Sequence, residues 1–270
     1  MTTDEQRCIL RASKNIEIGR KEMKFKYIEK IEAINQENRW VVYIERGTLT
    51  APVLTAIANC YLQVFNTQGE FEWGEKWNIK NIQKLLERMI YKRSLGERFI
   101  GSILIDTNPE ENIAAVHGFC LGLFMDGAEK LRLEDMPFHI FKTTKIEALR
   151  RLKQILSPEK QFVFLRELGI SKEKRGGLLQ IMRLIATALK FAGKDGEKVI
   201  FWTSEKTNLY YLVIGTGAKI IHQCNDPKRH IFLEYDLSSF QGILEFSEKQ
   251  LQDIIATKLR NLQLSTQQPR

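Results

Sequence analysis

The stretch from Gln161 to Thr203 restricts the fold of this chain more than any other, because most of its side chains demand cover. QFVFLRELGI, Gln161 to Ile170, reads as a strand, and SKEKRGG follows as a basic glycine turn. Leu178 to Ala192 then reads as a helix. Its polar residues, Gln180, Arg183, Thr187 and Lys190, lie on one narrow stripe, so the rest of its surface is apolar and must be buried. Gly193 to Gly196 ends the helix, and Val199 to Thr203 is a short buried strand. Free backbone N–H groups point out of a helix start, and their dipoles favour an anion there. Lys174 and Arg175 add positive charge, while Gly176 and Gly177 lack side chains and let an anion come close. In physical terms this is a phosphate cradle, or else a tight turn with ordinary close packing. It matches neither GxxxxGK[ST] nor GxGxxG.

The flanking segments supply more of the same layers. WVVYIE, Trp40 to Glu45, predicts a strand ended by Arg46-Gly47, and Pro52 to Phe65 an apolar helix with Pro52 in its first turn. Asn78 can cap a second helix, where Ile79, Ile82, Leu85, Leu86 and Met89 recur at helical spacing. Phe99 to Asp106 and Ile113 to Phe124, separated by TNPEEN, predict an antiparallel hairpin. A basic amphipathic helix is expected over Lys145 to Leu156, stopped by Ser157-Pro158. Thr207 to Val213 reads as a helix turn, Ala218 to Gln223 and Ile231 to Tyr235 as strands, and Ser247 as the cap of a last helix. The expected organisation is a helical, partly mobile extension over 1–38, a domain over 39–236 with a helical insertion at 125–160, and a C-terminal helix and disordered tail over 237–270.

At 270 residues with 43% hydrophobic content, the chain can fill a real core, which excludes a wholly disordered or low-complexity protein. The net charge is +8, and between Phe141 and Arg183 eleven basic residues face four acidic ones, which is nearly the whole surplus. Such a field favours anionic ligands: nucleic acid, membrane headgroups or a polyphosphate cofactor. Cys8, Cys60, Cys120 and Cys224 show no CxxC or paired spacing and read as reduced thiols. The start, MTTDEQRCIL, lacks secretory-signal character, and no apolar run approaches the length of a membrane span. A cytoplasmic protein outside the membrane is expected.

Around the glycine turn the chain resembles the GNAT superfamily of acyl-CoA-dependent N-acetyltransferases. The family pattern, L-x-V-x-P-E-x-R-G-x-G before a helix, reads here as LGISKEKRGGLL, with Ile170 at the valine, Glu173 at the acid and Arg175-Gly176 at the R-G pair. Tyr211 precedes Gly215 at the interval of the family's LYxxxGF, and the order of strands and helices from Trp40 to Gln223 also fits. One residue is missing between Gly176 and Gly177, Thr216 stands for the usual Phe, and Ser204 for the usual Asn.

The resemblance implies an α/β fold: a mixed, mostly antiparallel twisted sheet of seven or so strands with helices on both faces, plus the helical insertion and terminal helices. It implies a CoA thioester, acetyl-CoA or another acyl-CoA, as donor and an unidentified amine as acceptor. The amides of Arg175, Gly176, Gly177 and Leu178, with Lys174 beside them, would hold the pyrophosphate. Leu168, Gly169 and Ile170 would pair with the pantetheine arm, and Ser204 would lie beside it. Glu167 would be the base and Tyr211 the acid, with Tyr210 as its neighbouring competitor. Trp73, Glu75 and Trp77 would border the acceptor.

Blander readings stand beside these. Glu167 can be an exposed strand carboxylate paired with Arg166 or Lys172, Tyr211 an aromatic on the sheet edge, and the tryptophans core anchors. His117, His139, His222 and His230 form no HxH or HExxH pattern, so no metal site is expected. A catalytically silent CoA sensor or regulator of the same fold is one alternative. A nucleic-acid-binding protein using the basic face from Lys142 to Lys160 is another.

Overall fold

The computed structural model describes residues 28–32, 38–65, 78–92, 97–106, 115–136, 142–159, 161–171, 178–190, 198–205, 207–226 and 229–239, and parts of a helix between 249 and 260. The strands are β1 (Ile28–Glu32), β2 (Asn38–Ile44), β3 (Arg98–Ile105), β4 (Gly118–Met125), β5 (Phe162–Ile170), β6 (Lys198–Ser204), β7 (Lys219–Gln223) and β8 (His230–Asp236). They form one eight-stranded sheet in the order β1-β2-β3-β4-β5-β6-β8-β7. Among the described strands only β5 and β6 run parallel. They are also the pair joined by the buried helix, since a parallel connection needs a crossover.

The helices are α1 (Ala51–Phe65), α2 (Ile79–Tyr91), α3 (Lys142–Ile155), α4 (Leu178–Leu189) and α5 (Asn208–Gly215). Strand side chains alternate between faces, so each strand serves two cores. On one face Val42, Ile44, Phe162, Phe164 and Ile200 meet Ile57 and Tyr61 of α1, Ile82 and Leu86 of α2, and Ala148 and Leu152 of α3. On the other, Val41, Ile100, Val163, Val199 and Phe201 meet Met182, Leu184 and Ile185 of α4 and Leu212 and Val213 of α5. This is the expected α/β architecture, a mixed and mostly antiparallel sheet covered by helices on both sides. Half of the polar stripe of α4 is drawn inside: Gln180 and Thr187 are buried, whereas Arg183 is half-buried and Lys190 exposed, and the Leu184 carbonyl accepts from Ser102 Oγ at 2.6 Å.

Two expectations are corrected. Residues 28–32, within the extension read as helical, instead form a strand that pairs with β2 from Ile28↔Val42 to Glu32↔Asn38, bringing the described strands to eight, in keeping with the seven or so expected. The insertion helix begins at Lys142, earlier than Lys145. Asn78 caps α2 as its side chain predicts, accepting from the Asn81 N–H at 3.0 Å. The Ser247 cap lies outside the described residues.

Candidate active site

The candidate site lies where β5, still paired with β4, loses its pairing with β6. Against β4, Leu121 faces Glu167 but Gly122 faces Leu165, so Arg166 is an extra residue, a β-bulge. A Cβ on Gly122 would stand 2.9 Å from the Phe164 carbonyl oxygen, which is why glycine lies opposite the irregularity. Against β6, backbone pairing runs from Phe162↔Lys198 to Leu165↔Phe201 and stops. Both strands continue, β5 to Ile170 and β6 to Ser204, without backbone pairing beyond the bulge, and this unpaired stretch is the slot between them. A side chain spans it: Trp202 Nε1–H donates to the Arg166 carbonyl.

Glu167 is buried, which corrects the reading of an exposed strand carboxylate. Its Oε2 accepts from Tyr61 Oη at 3.2 Å, and its Oε1 lies 3.5 Å from Arg166 Nε. Tyr61 belongs to an aromatic cluster, stacked on Phe119 at 5.5 Å and tilted on Phe65 at 4.5 Å. Burial here pushes the Glu167 carboxyl up to about 7, with Arg166, the Tyr61 hydrogen bond and Lys145 of α3 pulling the other way. A carboxyl of that acidity can both accept and hold a proton at neutral pH.

Past Glu167, Leu168 and Gly169 are half-buried and Ile170 is buried. A Cβ on Gly169 would come 2.7 Å from Val64 Cγ1 and 3.1 Å from Phe119 Cζ, so α1 approaches this strand as closely as glycine allows. The Ser171 N–H donates to the His117 carbonyl at 2.8 Å and carries the β4 pairing to the end of β5.

Tyr211 stands on α5, half-buried, with its ring edge-on to Tyr210 at 5.3 Å. Burial, then Glu205 and Tyr211, push the Tyr210 phenol above its ordinary value. Thr207 caps α5, its Oγ1 accepting from the Tyr210 N–H at 3.2 Å and contacting Thr203 Oγ1 at 2.7 Å. The buried Ser204 ends β6, and its carbonyl accepts the Thr207 N–H at 3.0 Å. Tyr211 packs with the α4–α5 core and Glu167 hydrogen-bonds Tyr61 of α1, so the two belong to opposite faces of the sheet. Leu178 is the first residue of α4. Lys174, Arg175, Gly176, Gly177, Trp73, Glu75 and Trp77 lie outside the described residues.

Tyr61, Lys145, Trp202 and the Asp226–His230 pair are additions that the sequence reading missed. Tyr61 sits in an apolar helix and reads as core. Lys145 comes from the insertion helix α3, and Trp202 with the Asp226–His230 pair is brought toward β5 only by the sheet order. Cys60, Cys120 and Cys224 are free and buried, and burial pushes each thiol up to about 12. Among the described residues no group of three or more His, Cys, Asp or Glu could hold a metal ion, and no helix is long and apolar enough to cross a membrane.

No family model matches the chain, and no curated protein matches it. Solved structures do. FeeM, an N-acyl amino acid synthase from uncultured soil microbes, is 14% identical with a TM-score of 0.45, the match covering 77% of this chain and 98% of that one. PH1933 from Pyrococcus horikoshii OT3 is 14% identical with a TM-score of 0.44, covering 73% and 98%. The GNAT domain of PAT from S. lividans is 10% identical with a TM-score of 0.40, covering 77% and 96%. GNAT proteins are thus among the structural neighbours, at low scores. The chain's own sheet has, among the described strands, one parallel pair that stops pairing beyond a bulge and is joined by a buried helix, in a mixed α/β fold.

Proposed function

We propose that the chain is an acyl-CoA-dependent N-acyltransferase, with acetyl-CoA the first donor to test, acting on an amine by direct attack in a ternary complex. The observation that carries this is the buried Glu167, poised near neutral pH at the bulge where β5 and β6 part. An extended, amide-bearing arm suits the slot, because a strand edge that has lost its neighbour can pair with any extended backbone-like chain. Residues Leu168 to Ile170 form that edge, and Arg175, Gly176, Gly177 and Leu178, with Lys174, are proposed to hold the diphosphate beyond it.

The thioester supplies an activated acyl carbon. Glu167 takes a proton from the attacking amine, the N–C bond forms as the C–S bond breaks, and Tyr211 gives a proton to the departing sulfur. A β5 N–H directed at the carbonyl oxygen would contribute about 3 kcal/mol, and holding both reactants together supplies much of the rest. Trp73, Glu75 and Trp77 are proposed for the acceptor side.

A second reading has one observation in its favour. The Arg166–Glu167 ion pair and the Trp202 indole already engage groups beside the slot, as a silent CoA sensor would tolerate. Steady-state assays of thiol release with acetyl-CoA and a panel of amines separate the two. A transferase loses turnover in Tyr211→Phe at nearly unaltered donor affinity. A sensor binds acetyl-CoA and releases no thiol with any amine.

A further inference from the structure

The turn between β7 and β8 carries a buried acid–imidazole pair that the proposed reaction does not use. Both carboxylate oxygens of Asp226 lie 2.9 Å from His230 Nδ1, and both side chains are 2% exposed. Arg229, between them, has a φ of 50°, a left-handed conformation uncommon outside glycine, and donates its N–H to the Asp226 carbonyl at 2.9 Å. Its guanidinium also meets Glu205 at 2.9 Å, just past the end of β6. The turn is therefore tied at both ends, and it fixes Asp226 against the imidazole.

His230 pairs with Ser204 of β6, and its ring meets the Trp202 indole at 5.4 Å, tilted by 52°. Trp202 in turn reaches the Arg166 carbonyl, one residue before Glu167. A continuous chain of contacts thus runs from Asp226 to the bulge.

We propose that Asp226, His230 and Trp202 are positioning residues of the acyl-transfer site. The carboxylate fixes the imidazole, the imidazole fixes the indole, and the indole holds the bulge carbonyl and so the width of the slot between β5 and β6. An imidazole held through Nδ1 cannot flip, and an indole packed against it has one way to aim its single donor. The proposal rests on the transferase reading, because slot width matters to function through the donor arm that enters it.

The test uses the full chain, with acetyl-CoA at saturating amine. Trp202→Phe and His230→Ala should raise the donor KM by about tenfold or more, with a smaller change in kcat, as expected when a binding geometry is loosened. His230→Asn, whose amide N–H can still reach Asp226, should recover most of the loss. An active enzyme whose donor KM is unaltered in both variants overturns the proposal, even if they melt earlier. A second readout needs no turnover: the emission of Trp202, taken as wild type minus Trp202→Phe. It should change in His230→Ala and Asp226→Ala and be retained in His230→Asn. Wild-type protein that binds no acyl-CoA contradicts the transferase reading instead, and Trp202 emission indifferent to both alanine variants then overturns the coupling itself.

Discussion

Aromatic burial and two nearby cations compete for the Glu167 proton, and burial wins, leaving the carboxyl at about 7 against 4.5 in an open chain. A base of this kind makes the rate climb with pH below about 7 and level off above it. Glu167→Gln should remove that limb and cost on the order of a hundredfold or more in turnover, read from kcat against pH. The same shift has a stability consequence. Between pH 4.5 and about 7 the folded chain binds more protons than the unfolded one, so this group's contribution is present at low pH and lost as pH rises through 7. The expected loss is on the order of 3 kcal/mol, and urea denaturation at pH 5 and pH 8 should show a smaller difference in Glu167→Gln than in wild type. Gly169→Ala forces a methyl against Val64 and Phe119 and should cost about 1–3 kcal/mol at any pH. The sequence named Glu167 as a base only through the resemblance, and its burial was not legible there. RELG reads equally well as an exposed ion-paired strand end, because what buries Glu167 is Tyr61, far away in the chain.

Helix α5 and the insertion show how elements hold the residues they carry. Thr207→Ala removes the cap of α5 and should lower stability by about 1 kcal/mol in denaturant melts, fraying the turn that carries Tyr210 and Tyr211. The insertion before α3 is pinned by Arg132, whose Nη2 meets both oxygens of the fully buried Glu97 carboxylate at 2.8 and 3.0 Å. Arg132→Ala leaves that carboxylate without its guanidinium and should cost about 3 kcal/mol, checked by the shift of the denaturation midpoint. The β5–α4–β6 unit was legible because its periodicity switches from strand to helix and back within one apolar stretch. The Asn78 cap was legible from a single side chain. Strand β1, IEKIE, was not: its charged residues suit an edge strand, and its strand character comes from β2, a partner that periodicity cannot reveal. The bulge was equally hidden, since nothing in the β5 sequence marks it and the glycine that accommodates it, Gly122, lies on the neighbouring strand.

For the whole molecule, the proposed function makes one requirement: an acyl-CoA must enter where β5 and β6 stop pairing. The basic surplus between Phe141 and Arg183 favours a polyanionic donor, and it equally allows nucleic acid. Binding to random duplex DNA at sub-micromolar affinity with steep salt dependence would favour the latter. The order of elements from Trp40 to Gln223 was readable because each local pattern agreed with the final topology, whereas the way the two strands separate depends on contacts between them. Ligand binding to the folded chain alone raises its stability by about 2.7 kcal/mol at a hundred times Kd. For a chain of this length that is a rise in Tm of about 6 °C. The decisive measurement is therefore the melting temperature with increasing acetyl-CoA, in wild type and in Gly177→Trp. A saturable rise of that size in wild type, absent in the variant, is the predicted result. No rise at millimolar acetyl-CoA, or an equal rise in both proteins, would contradict a donor seated between the glycine turn and the open end of β5.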